Sequence, residues 1–124
     1  MLGEKLDWNS WEGVIDSNGI TIDRPARSRH PRHPEIVYPI DYGFINGTRG
    51  SDGEEVDVFV GSADNGIVGA IQTIDYRKGD REIKFLYACT GREIYIVNGF
   101  INYDRSLMEG WLILRQPFQE IGLF

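Results

Sequence analysis

The sequence is poor in the residues that staple or anchor a chain. Cys89 is the only cysteine among 124 residues, which excludes an intrachain disulfide and a thiolate metal cluster. Long apolar runs are missing as well. The longest uninterrupted one, Phe85-Leu-Tyr-Ala-Cys89, falls far short of the ~20 residues that cross a bilayer. The first residues, Met1-Leu-Gly-Glu-Lys-Leu-Asp-Trp8, lack the apolar core of a secretory signal. These absences make cytoplasm the expected location. Positive charge is scarce too: 13 Lys and Arg stand against 19 Asp and Glu, a net charge of −6. That balance argues against a nucleic-acid or anionic-membrane binder.

What is present is ordinary globular material, with 41% hydrophobic and 26% charged residues. A chain of this length is expected to form one domain over residues 1–124, with a core that needs no staple. Fifteen glycines punctuate short runs of β-branched and aromatic residues, the pattern of an all-β unit. The runs Trp11–Ile15 and Ile20–Asp23 flank Asp16-Ser-Asn-Gly19 and predict a hairpin, because Asn-Gly favours a primed turn. Further strands are expected at Tyr42–Asn46, Val56–Val60, Gly69–Ile74, Ile83–Cys89 and Gly110–Leu114. One helix interrupts them. Thr90-Gly-Arg-Glu93 fits a capping box, and Ile94, Val97 and Ile101 follow at helical spacing. The expected class is mainly β (α+β), with five or six strands in a small, partly open β-barrel and one helix in the C-terminal half.

Two opposite charge clusters stand out. Residues 24–34 hold Arg24, Arg27, Arg29 and Arg32 with both histidines and three prolines. Proline forces extended backbone before it, so this is a basic loop, and arginine forks match phosphate or carboxylate oxygens. His30 and His33 have no cysteine or further histidine to complete a zinc site. The second cluster, Asp52-Gly-Glu54-Glu55-Val-Asp57, places four carboxylates in six residues, which repel one another unless a cation lies between them. Asp57 sits between Val56 and Val58, where an ionised carboxylate needs a partner. A third set, Asp75, Asp80, Glu82 and Lys84, surrounds the turn between two expected strands. Carboxylates for a hard divalent cation beside Arg and Lys for phosphate oxygens suit metal-assisted hydrolysis or phosphoryl transfer. No P-loop, Gly-x-Gly-x-x-Gly, His-Glu-x-x-His or serine-nucleophile motif is present.

The stretch Tyr38-Pro-Ile-Asp-Tyr-Gly-Phe-Ile-Asn-Gly-Thr48, followed by Asp52-Gly-Glu-Glu-Val-Asp-Val58, resembles the soluble family I inorganic pyrophosphatases. That family reads approximately Tyr-Pro-x-Asn-Tyr-Gly-x-Ile-x-x-Thr and then Asp-Gly-Asp-Pro-x-Asp-Val, with the same spacing. The likeness extends more loosely from Ile22-Asp-Arg24 to Lys84. It implies the family's fold, a small five-stranded OB-like β-barrel, and an inorganic diphosphatase. The implied reaction is Mg²⁺-dependent hydrolysis of pyrophosphate to two phosphates by a metal-activated water, with Mn²⁺ as the alternative ion.

Residue by residue, the resemblance implies metal ligation by Asp52, Glu54, Asp57, Asp75 and Glu82, with Asp80 competing for the place of Glu82. Glu54, Tyr42 and Asp57 become the catalytic candidates. Arg24, Tyr42 and Lys84 become the phosphate binders, with Arg27 or Arg29 as alternatives to Arg24. There are departures: Glu54 and Glu82 stand where the family has Asp, and Tyr103 is followed by Asp104 rather than by the family's lysine. Lys5 and Glu12 are the N-terminal candidates for the family's lysine and glutamate. Those departures motivate an alternative, a non-catalytic module binding a phosphorylated ligand. A third reading, an oligonucleotide-binding barrel using the basic loop, conflicts with the acidic balance. Finally, Trp111-Leu-Ile-Leu114 puts apolar side chains on both faces of one strand, and with the resemblance this implies a homo-oligomer.

Overall fold

The computed structural model describes residues 6–122. The chain runs α1 (Trp8–Asn18), β1 (Ile20–Arg24), β2 (Asp41–Ile45), β3 (Val56–Val60), β4 (Ile67–Asp75), β5 (Asp80–Tyr87), α2 (Gly91–Ile101) and β6 (Met108–Leu114), and a 3₁₀ turn follows at Phe118–Glu120. All six strands join one sheet in the order β1-β2-β3-β5-β4-β6. It is an open sheet and not the expected five-stranded barrel: β1 and β6 each pair with a single neighbour among the described residues. Two antiparallel blocks, β1-β2-β3 and β5-β4-β6, meet at one parallel pairing, β3 with β5.

The expected hairpin over residues 11–23 is also corrected, because its first arm belongs to α1. Asp7 caps that helix by accepting from the Ser10 amide. Trp8, Trp11 and Ile15 recur at helical spacing and pack on one core cluster. Gly19, at φ +79°, ends the helix, its amide donating to the Ile15 carbonyl. The Asn-Gly step therefore serves a helix terminus rather than a strand turn.

α2 forms where its pattern placed it. Thr90 and Glu93 make both capping-box hydrogen bonds, and Ile94, Val97 and Ile101 are buried. Alternation along the strands divides the core into two layers. Val58, Ala70 and Phe85 pack under α1, with Trp11 set against Phe85 at 4.9 Å between ring centroids. Phe59, Ile71 and Leu86 pack under α2. In β6, Leu112 and Leu114 join the α2 layer, while all seven residues remain half-buried. No helix among the described residues is long and apolar enough to cross a membrane.

Candidate active site

The site lies on the α2 face of the sheet, at the junction of the two blocks. Asp57 on β3 is the register partner of Lys84 on β5, and Tyr42 on β2 is the partner of Phe59, two residues further along β3. Register partners, and residues two apart along a strand, share a face, so Tyr42, Asp57, Glu82 and Lys84 converge. Tyr42 donates its hydroxyl hydrogen to Asp57 Oδ2 at 2.6 Å. Lys84 Nζ donates to the same oxygen at 2.7 Å, to Glu82 Oε1 at 3.1 Å and to the Tyr42 oxygen at 3.2 Å. Lys84 is only 8% exposed, and three acceptors give its ammonium the partners that burial demands. Although burial opposes the charge, the neighbouring Tyr42, Asp57 and Glu82 hold its pKa well above the usual value. Burial, more than any neighbour, pushes the Tyr42 phenol well above its ordinary pKa, so it stays a donor.

Carboxylate oxygens of Asp52, Asp80 and Glu82 all lie within 4.8 Å of one another. Burial, aided by a hydrogen bond shared with Asp52, pushes Glu82 up to about 7, while the same hydrogen bond lowers Asp52. Carboxylate oxygens this close repel one another unless a cation lies between them. An all-oxygen donor set of this kind fits a hard divalent cation.

Arg24, at the end of β1, donates to the Tyr38 hydroxyl, and its guanidinium lies 5.5 Å from the Tyr38 ring centroid. Tyr38 in turn stacks on Tyr42 at 5.2 Å. Sequence reasoning gave Tyr38 no role; no residue spacing signals that a loop residue will stack on a strand residue. The loop between β1 and β2 is fastened by Asp41, whose Oδ1 accepts from the Ala26 amide at 2.8 Å, and by a bridge between Arg29 and Val37. Burial and then the charge of Arg24 lower the pKa of His30 in this loop.

The remaining candidates are placed differently. Arg29 donates to the Pro34 carbonyl at 2.7 Å. Glu54 is exposed and its carboxylate is outside the three-acid group. Asp75 is opposite Asp80 in the sheet, but its Oδ1 accepts from the Arg77 and Lys78 amides of the turn at 3.0 and 3.2 Å. Asp80 and Glu82, which competed for one place, both belong to the group. Glu12 accepts from Arg115 at 2.6 Å and from the Ile67 amide at 2.8 Å, tying α1 to the sheet away from the lysine. Tyr103 is 91% exposed. Lys5 lies outside the described residues.

The model of the inorganic pyrophosphatase family matches residues 14–84, the span that carries β1 to β5 up to Lys84. No curated protein matches. Among solved structures, the crystal structure of an inorganic phosphatase from Anaplasma phagocytophilum superposes with a TM-score of 0.51 at 16% identity. The match covers 77% of this chain and 81% of that one, and is a likeness of fold. With more than half of its length matched to the family model, and with the acids and lysine of the site inside the match, the chain belongs to the inorganic pyrophosphatase family.

Proposed function

We propose that this protein hydrolyses inorganic pyrophosphate to two phosphates and that it depends on Mg²⁺, with Mn²⁺ as a substitute. The observation that carries the reading is the buried Lys84 ammonium, held by Asp57, Tyr42 and Glu82 next to the convergent carboxylates of Asp52, Asp80 and Glu82. Asp52, Asp80 and Glu82, with Asp57 beside them, hold the metal, and the resemblance adds Glu54 and Asp75 to the acidic set. A divalent cation there supplies Lewis acidity and neutralises phosphate charge. Lys84 and Arg24 bind phosphate oxygens, with Arg29 in the same basic loop, and Tyr42 donates a hydrogen bond to the substrate or to Asp57. Each of these donors is anchored before substrate arrives, which is how fixed dipoles lower a barrier. The same reading takes the active form as a homo-oligomer, supported by the half-buried apolar strand β6 at the sheet edge.

Phosphate release from pyrophosphate is the test. With Mg²⁺ the protein releases phosphate, and Asp57→Asn loses about 10²-fold or more in kcat. Failure to release phosphate with Mg²⁺, Mn²⁺ or any other divalent cation overturns the reading.

A further inference from the structure

A phosphate anion approaching this chain meets a net charge of −6 and three clustered acids, and both repel it. One segment has the opposite sign. From Arg24 to Pro34 there are four arginines and no acid, and the backbone folds this segment into an ordered hairpin. The Arg27 amide donates to the Tyr38 carbonyl at 2.8 Å, the Tyr38 amide to Ser28 at 3.0 Å and the His30 amide to Ile36 at 2.9 Å. The Arg29–Val37 bridge lies between them, and His30 Nδ1 accepts from the Arg32 amide at 3.1 Å, which keeps Arg32 level with His30. Both ends of the hairpin lie against Tyr42. Arg24 is its register partner, and Tyr38 stacks on its ring at 5.2 Å. The Tyr42 hydroxyl is 3.2 Å from Lys84 Nζ.

From Arg27 to His30 the hairpin is about 10 Å long at ~3.3 Å per residue, close to the ~8 Å Debye length at physiological salt. Its charges therefore reach the site without touching it. Arg27 and Arg32 are exposed. Among the described residues the ion pairs are those of His33, Lys84, Arg105 and Arg115, so no carboxylate neutralises either arginine. Arg27 also has φ +70°, a left-handed backbone that glycine adopts freely and a long side chain seldom. The chain carries a charge where the turn favours glycine. We propose that Arg27 and Arg32 form a capture surface that draws the phosphate anion toward Lys84 by charge, without contacting the reacting phosphates. The proposal rests on the reading that the Lys84 group binds a diphosphate.

Two readouts on the full chain with Mg²⁺ test it across a salt series. One is kcat/KM for pyrophosphate. The other is calorimetric affinity for methylenediphosphonate, which presents two phosphoryl groups and cannot be hydrolysed. The double variant Arg27→Gly, Arg32→Gln should lower both about 3–10-fold at low salt. The difference should be largest near ~10 mM, where the Debye length is ~30 Å, and vanish near ~1 M, where it is ~3 Å. Glycine suits the backbone at position 27, so the fold is kept. Glu35→Gln removes an exposed acid from the same hairpin and should raise both values at low salt, a gain that damage to the fold cannot produce. A double variant equal to the parent at low salt, or weaker by the same factor at every salt concentration, overturns the proposal, and so does Glu35→Gln without a gain. Phosphate release that neither variant alters sinks the capture surface alone. Hairpin-dependent binding of the diphosphonate with no release from pyrophosphate sinks the pyrophosphatase reading alone, and neither binding nor release sinks both.

Discussion

Tyr42 shows how much one side chain can decide. Its ring is stacked against Tyr38 and packed on Phe59 at 4.7 Å, and its hydroxyl is the bridge between Asp57 and Lys84. Tyr42→Phe keeps the rings and deletes the bridge. Urea denaturation should show a loss of only about 1 kcal/mol, whereas kcat on pyrophosphate should fall about 10²-fold, as for loss of one fixed donor. A fall in stability with unchanged kcat would mark the tyrosine as structural. Cys89 makes the opposite case. Burial pushes its thiol up to about 12, so the reactive thiolate is scarce near neutrality. Iodoacetamide at pH 8 should leave the native protein unmodified and alkylate it in urea, as read by mass spectrometry. At this scale the sequence was legible where chemistry is conspicuous: an acid between two valines, a lysine two positions from a glutamate. Tyr38 was not legible, because a ring stack exists only once distant segments have met.

Among the elements, α2 was readable and α1 was not, for a physical reason. In α2 the capping box and the apolar stripe agree, while in α1 the residues Trp11, Val14 and Ile15 favour strands by propensity and helix by spacing. The Asn18-Gly19 step suits either outcome, since both a primed turn and a helix end use positive φ. The α2 cap also extends beyond its own helix. Glu93 Oε1 accepts from the Thr90 amide at 2.9 Å and from Ser62 at 3.1 Å, fastening the loop after β3. Although partial burial pushes the Glu93 carboxyl up, these amides hold it below its usual pKa. A carboxyl lowered on folding stabilises the protein above the unfolded value of 4.5, and the benefit is lost as pH falls through the folded value. Glu93→Ala should therefore be less stable than the parent by about 1–2 kcal/mol at pH 7. Denaturation at a series of pH values should show the gap narrowing below about pH 4.5; a gap constant with pH would refute the role of the charge.

At the scale of the whole molecule, the open sheet replaces the barrel that the resemblance implied. Closure depends on whether the first and last strands pair, and no local pattern encodes that choice. The open edge has a consequence for assembly. Among the described residues β6 pairs with a strand on one side only, although its Met108 and Gly110 amides donate to the Asp104 carbonyl and to Asn102 Oδ1, and its apolar residues are only half-covered, a combination that invites another chain. We expect light scattering at micromolar concentration to report a homo-oligomer; a clean monomer of 14.1 kDa would refute this. The single parallel pairing of β3 with β5 carries a further meaning, for folding rather than for assembly. Tyr42 and Asp57 belong to the block on one side of it, and Glu82 and Lys84 to the block on the other. Only when the two blocks meet does Lys84 face Asp57 and the Tyr42 hydroxyl. A slip of one residue at that pairing turns Lys84 to the wrong face. Misregistration and inactivity are thus one event, and turnover reports that the two blocks have met in register.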